Sequence, residues 1–84
     1  MYYFYILYST VLDKYYIGHT SQLKERIRRH NTNHKGFTGK ANDWHLVYWE
    51  EYNHKTDAFK RERKIKAWKN RKRLETLINN ANGD

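Results

Sequence analysis

The 84-residue chain has no cysteine, no proline and only four glycines. Without cysteine it can form neither a disulfide nor a thiolate metal site, so neither device staples a body this small. The same lack fits a reducing compartment. No proline marks a linker, and no internal repeat divides the chain. Acidic residues are scarce as well, with nine Asp and Glu against seventeen Lys and Arg. The apolar N-terminus lacks a basic leader and a small-residue cleavage site, and it is far short of the ~20 residues needed to span a bilayer. The expectation is one small soluble domain in the cytoplasm, with no membrane contact and no obligate protein partner.

What is abundant is aromatic area and positive charge. Eight tyrosines and three tryptophans supply large buried surfaces with polar tips that reach water, which compensates for a short chain. A net charge of +8 favours a polyanionic partner. Ten of the seventeen basic residues lie between Lys55 and Arg73, where only Asp57 and Glu62 answer them, and four more lie between Lys24 and Arg29. Charge runs are commonly just solvated helical faces, but such faces mix signs. An anionic membrane is disfavoured because no strongly apolar helical face accompanies the charge. Nucleic acid is the expected partner, with Lys24, Arg28, Arg29, Lys66, Lys69, Arg71, Lys72 and Arg73 as candidate contacts.

Tyr2 to Tyr8 is an unbroken apolar and aromatic run of strand length, the pattern of a central strand covered on both faces. Alternation puts Tyr3, Tyr5 and Leu7 on one face and Tyr2, Phe4, Ile6 and Tyr8 on the other. Ser9 to Lys14 predicts a hairpin loop, and Tyr15 to His19 an antiparallel return that makes Tyr5 and Tyr16 neighbours. Gly18 can relax the strand end, and Thr20 or Ser21 can cap a helix on which Leu23 and Ile27 point inward. Asn31 to Asp43 predicts a loop pinned by Phe37 and Trp44, and Leu46 to Tyr52 a third strand with Glu50 and Glu51 at an exposed end or edge. Asn53 to Asp57 carries start signals for a second helix with Ala58, Phe59, Ile65 and Trp68 inward. A last short helix docks Leu74, Leu77 and Ile78, and Asn79 to Asp84 frays. The predicted fold is α+β, a three-stranded antiparallel sheet flanked by helices in the order β-β-α-β-α-α. Residues 1–80 form the single domain and residues 81–84 a frayed tail.

Two placements carry chemistry. On the first helix Arg26 and His30 border the inward stripe, one turn apart, whereas Arg28 and Arg29 point away. On the second, counting about 100° per residue from Ala58, Glu62 falls near 40°, inside the apolar arc. An inward carboxylate is costly unless it is paired, hydrogen-bonded or bound to a cation. An internal salt bridge, for instance to Arg26, and a metal ion are both open readings.

Tyr16-Ile17-Gly18, followed at fixed spacing by Arg26 and His30, resembles the second motif of the GIY-YIG nuclease family. Tyr3-Phe4-Tyr5-Ile6-Leu7 stands where the first motif belongs, with Tyr3 replacing its glycine and Tyr5 keeping its tyrosine. Ala58 to Trp68 is similar to the helix that carries the family's glutamate. The resemblance covers nearly the whole chain and implies a small single-domain member. It implies a metal-dependent endonuclease with Tyr5, Tyr16, Arg26, His30 and Glu62 as its catalytic set and Glu62 holding Mg2+ or Mn2+. Tyr5 is then the general base and Tyr16 positions water or phosphate. An ion of this kind keeps several waters and needs only one or two carboxylates. Arg26 can clasp a phosphate through its planar fork, and His30 can hold an oxygen or assist proton transfer.

Weak sequence preference or structure selectivity is expected, with a role in DNA repair or recombination. The alternative is a weak or inactive binding module on the same scaffold, since the first motif is altered and no late asparagine aligns, although Asn70, Asn79 and Asn80 are available. A protein-interaction adaptor ranks last, because it makes the Arg26 and Glu62 placements coincidence. Both nucleic-acid readings predict salt-sensitive binding, each neutralised duplex phosphate adding roughly −0.9 to the slope of log K against log salt. Charge reversal at Arg28 or within Lys69 to Arg73 should weaken binding in an anisotropy titration; salt-insensitive binding, or none at low salt, counts against both.

Overall fold

The computed structural model describes residues 1–32 and 40–82. Strands β1 (Tyr2–Ser9) and β2 (Lys14–Thr20) lead into helix α1 (Leu23–Thr32), then strand β3 (His45–Tyr52) and helices α2 (Lys55–Trp68) and α3 (Arg71–Asn82). The sheet is antiparallel in the order β2-β1-β3, so β1 is central as its two-sided apolar pattern predicts. The α+β order β-β-α-β-α-α is the one expected. Phe37 lies outside the described residues, while Trp44 is buried as expected of its end of the loop. No described helix is long and apolar enough to cross a membrane.

Alternation along β1 sends consecutive side chains to two different cores. Phe4 and Ile6 join Ile65, Leu74 and Ile78 beneath α2 and α3, whereas Tyr5 and Leu7 join Trp44, with Tyr16, Leu23, Ile27 and Leu46 around them. The register irregularity between Ile6 and Leu7, where Ile6 faces Tyr48 and Leu7 faces Leu46, leaves Val47 as the extra residue of β3. Both Val47 and Tyr48 therefore pack toward the Phe4 core while Leu46 serves the other.

The connections are tied by side chains. Asp13 adopts a left-handed backbone (φ 53°) in the hairpin loop, a conformation Asp tolerates better than most residues. Its carboxylate accepts bonds from the Tyr8 hydroxyl at 2.6 Å and from Arg71 at 2.5 Å, which fastens the loop to the start of α3. Asn70 accepts a bond from the Arg73 N–H at 3.0 Å and so caps α3. Thr20 accepts from the Gln22 N–H at 3.0 Å just ahead of α1.

Four expectations are corrected. Gly18 lies inside β2, which continues to Thr20. Helix α1 takes in Asn31 and Thr32, assigned above to the loop, and α3 runs past Asn79 to Asn82. Phe59 is 42% exposed, because the buried arc of α2 centres between Ala58 and Ile65 and a residue about 100° from Ala58 falls off its edge. Strand β3 is an edge strand, as its two glutamates led one to expect, and within it Glu51 is exposed while Glu50 is half-buried. It faces Phe4 across the ladder, on the α2 side, and accepts bonds from Tyr48, Tyr52 and the Arg61 guanidinium, whose Nε and Nη2 each stand 3.0 Å away.

That Glu50 cluster joins β3 to α2 one residue before Glu62. Glu50→Ala leaves a partly buried guanidinium and two phenols without their acceptor, and should lower stability by about 2–3 kcal/mol in urea titrations, with the m-value unchanged.

Candidate active site

Tyr5, Tyr16 and His30 form a tight aromatic group on the α1 side of the sheet. Tyr5 points into it from the central strand and is fully buried. Its register partner is Gly18, and a Cβ built at that glycine would lie 2.7 Å from the Tyr5 hydroxyl oxygen. The phenol thus rests on a stretch of β2 that only glycine can supply. Tyr16, two residues back on the same face, places its ring 6.3 Å from that of Tyr5 and 4.4 Å from that of His30.

Helix phase brings His30 beneath them, 7% exposed. The Tyr5 hydroxyl and His30 Nε2 are hydrogen-bonded at 2.9 Å. Burial pushes the Tyr5 pKa up to about 12, although Arg26 pulls against it. Burial, with Arg26 adding to it, pushes the His30 pKa down to about 4. Near neutrality both groups are uncharged, so the phenol donates and the ring accepts. A free phenolate, which the neighbouring cation alone would favour, is the form that burial disfavours most.

One turn before His30, Arg26 brings a guanidinium to the two phenols. The Tyr5 hydroxyl beside it raises the Arg26 pKa above its ordinary value in spite of burial. Its buried Nε has no hydrogen-bond partner among the described residues. A recess of about 130 Å³ opens here, lined by Thr20, Gln22, Glu25, Arg26 and Arg29. The Arg26 side chain reaches this recess, but its unpartnered Nε is itself buried, and Tyr5, Tyr16 and His30 do not line the recess, whereas the Glu25 side chain does.

Glu62 approaches from the other side of the sheet, since α2 packs on the Phe4 core. It is not bonded to Arg26. His19 Nδ1 meets one of its oxygens at 2.5 Å and Lys66 Nζ donates to the other at 2.7 Å. Burial raises the Glu62 pKa, but the bonds from Lys66 and His19 outweigh it and keep the carboxyl below its ordinary value, hence ionised. The five candidates do not share the one concave surface that alternation and helix phase led one to expect. Tyr5, Tyr16, Arg26 and His30 lie on the α1 face and Glu62 on the α2 face, with β2, an edge strand, between them, where Gly18 receives the Tyr5 phenol and the next residue, His19, turns to the α2 face. The Glu62 charge is felt at the phenol and contributes to its raised pKa.

No group of three or more His, Cys, Asp or Glu capable of holding a metal occurs among the described residues. An ionised carboxylate that is 14% exposed nevertheless fits a largely hydrated Mg2+ or Mn2+, which needs one protein oxygen and a place for its waters. Such an ion must displace or share the places of His19 and Lys66. His19 escaped notice in the sequence, where only its register opposite Phe4 marks it as facing α2.

The basic candidates divide between the two sides. Lys24, Arg28 and Arg29 are exposed on α1, with Arg28 and Arg29 both bonded to Glu25. Lys66, Lys69 and Arg71 rim an open groove of about 450 Å³ floored by Tyr15, Ile17, Ile65 and Leu74. Arg71 is held by Asp13 and Glu75, Arg73 lies 4.1 Å over the Trp68 ring, and Lys72 is exposed. Of the three asparagines, Asn70 is occupied as the α3 cap, and Asn79 and Asn80 are exposed late on α3.

A family model described as the GIY-YIG catalytic domain matches residues 1–75, a span that contains every candidate catalytic residue. UPF0213 proteins of Staphylococcus aureus strains Mu3, Mu50 and COL are each 33% identical to the chain over 63 residues, covering 74% of it and 77% of their own length. No solved structure matches the chain significantly.

The buried histidine generates a pH signature. An unfolded histidine binds its proton near 6.5, whereas folded His30 resists until about 4. As pH falls from 6.5 toward 4 the unfolded chain gains a proton that the folded chain refuses, so the stability present above 6.5 is lost across that window. The loss is on the order of 3 kcal/mol. Thermal melts between pH 7.5 and 4.5 should show it, and His30→Gln should flatten the dependence; an equally steep profile in the variant counts against a buried neutral His30.

Proposed function

The chain belongs to the GIY-YIG family of nuclease catalytic domains, and from that premise we propose that it is a divalent-metal-dependent endonuclease hydrolysing phosphodiester bonds in DNA. The observation that carries this reading is the Tyr5–His30 hydrogen bond beside the unpartnered Nε of Arg26. A phenol–imidazole pair next to a guanidinium supports a reading in which the pair relays a proton and the cation binds phosphate, since such interactions are strong in a buried setting.

In the proposed reaction Arg26 clasps a non-bridging oxygen of the scissile phosphate. Tyr5 takes a proton from the attacking water as its own proton passes to His30 Nε2, so the oxygen never has to persist as a buried phenolate. His30 is neutral near pH 7 but holds a proton only weakly in the free protein, so the relay requires the anionic phosphate, once bound at Arg26, to offset that cation and stabilise the imidazolium. Tyr16 orients the water or the phosphate. Glu62 would hold Mg2+ or Mn2+, which when bound would supply charge neutralisation to the reacting phosphate.

Lysines and arginines on both sides of the sheet contact phosphates, which carry no sequence information directly. Weak sequence preference or selection by DNA structure follows, and a cytoplasmic role in repair or recombination fits an enzyme of that kind. One observation favours the second reading, a binding module without turnover: both Glu62 oxygens already have partners in His19 and Lys66.

A cleavage screen over duplex, branched and single-stranded DNA and RNA, with Mg2+, with Mn2+ and with chelator, separates the two. Tyr5→Phe should lower cleavage by roughly 10²–10⁴-fold. Glu62→Gln should abolish it while leaving nucleic-acid binding and the thermal melt close to wild type. Cleavage unchanged in either variant removes that residue from the mechanism. A folded wild type that binds but cleaves nothing establishes the binding module instead.

A further inference from the structure

The side of α2 next to Glu62 carries a feature that neither folding nor hydrolysis uses. Phe59 is 42% exposed on a helix that otherwise buries Ala58 and Ile65 and shows charge to solvent. Its ring has two neighbours. His19 packs against it at a centroid distance of 5.5 Å and an interplanar angle of 65°, and the Arg63 guanidinium lies over it at 5.7 Å. The exposed part of the ring opens into a recess of about 340 Å³ lined by His19, Lys55, Thr56 and Phe59. The lining holds an aromatic ring, an imidazole, a hydroxyl and an ammonium, and no carboxylate. It is continuous with the candidate active site, because the same His19 holds Glu62 through Nδ1.

We propose that Phe59, with His19, Lys55 and Thr56, forms a stacking subsite for one unpaired nucleobase of the nucleic-acid substrate. The inference rests on the nuclease reading and adds a substrate class to it: nucleic acid with a single-stranded overhang, flap or splayed base beside the cleaved phosphate. A flat, fixed aromatic face takes any base through its π-face, and neighbouring cations hold the backbone that carries it. A paired base within a duplex has both faces covered by its neighbours and cannot use such a platform. Lys55 in the lining and Arg63 over the ring supply positive charge for flanking phosphates, and the lining holds no carboxylate to repel them.

The test compares fluorescently labelled blunt duplex, the same duplex with a short overhang, and single-stranded DNA, by anisotropy without divalent metal. Phe59→Leu should weaken binding of the overhang and single-stranded probes roughly 5- to 150-fold, the range for one base–aromatic stack, and leave blunt-duplex binding within about twofold. Phe59→Trp should match or exceed wild type. A 2-aminopurine placed in the overhang should be quenched by wild type and Phe59→Trp but not by Phe59→Leu. Because the side chain is exposed, all three proteins should melt alike. Equal weakening for all three probes, or none, while wild type still binds, overturns the subsite and leaves the nuclease reading standing. If wild type binds none of the probes, the nucleic-acid reading itself fails and the subsite falls with it.

Discussion

Burial of β1 on both faces is the constraint on which the rest of the molecule depends. Phe4, Tyr5, Ile6 and Leu7 are all fully buried, so one strand is the common wall of two small cores. A chain this short, with no disulfide, has little apolar area to spend, and sharing one strand between two layers buries the most area per residue. The alternation that seats Phe4 and Ile6 under α2 and α3 also aims Tyr5 into the layer beneath α1. The principal catalytic candidate is therefore a core residue as well as a site residue, and its electrostatics follow from its packing.

Those electrostatics divide the site into two kinds of environment. The Tyr5 and His30 half is buried, and burial moves the two pKa values apart, so both groups are neutral near pH 7 and share one hydrogen bond. The Glu62 half is ionic, with His19 and Lys66 holding a carboxylate at the margin of the sheet. Gly18 and His19 join the halves because successive strand residues point to opposite faces. Gly18 removes the side chain that would strike the Tyr5 phenol, and His19 reaches around to the helix. An edge strand is well suited to this task, since its outer side is open to a substrate.

Around this centre the polar contacts locate elements more than they stabilise them. Arg61 with Glu50, Tyr48 and Tyr52 fixes the rotation of α2 on the sheet, and Glu62 is the next residue. Arg71 with Asp13 fixes the start of α3 against the hairpin loop. Several cations that look like a nucleic-acid surface in sequence have a carboxylate partner, Arg28 and Arg29 at Glu25 and Lys66 at Glu62 among them. Their availability to phosphate depends on exchanging one anion for another, which a polyanion can drive through the density of its charge.

Much of the fold and half of the site were legible in the sequence, and the division has a physical origin. Strand alternation and the 3.6-residue helix period are local, so they specified the order of elements, the central place of Tyr2 to Tyr8, the pairing of Tyr5 with the Tyr16 strand and the inward margin of Arg26 and His30. Helix phase likewise marked Glu62 as an anomalous inward carboxylate, but phase says only that a side chain turns inward, not what it meets. That Glu62 meets His19 and Lys66 instead of Arg26, that Glu50 is drawn in by Arg61, and that Phe59 is left at the margin depend on where α2 lies across the sheet. The tertiary structure alone settles that, because the position of a helix on a sheet follows from the packing of both cores at once. The pKa values belong to the same class, since desolvation is a property of the assembled surroundings and no stretch of sequence contains it.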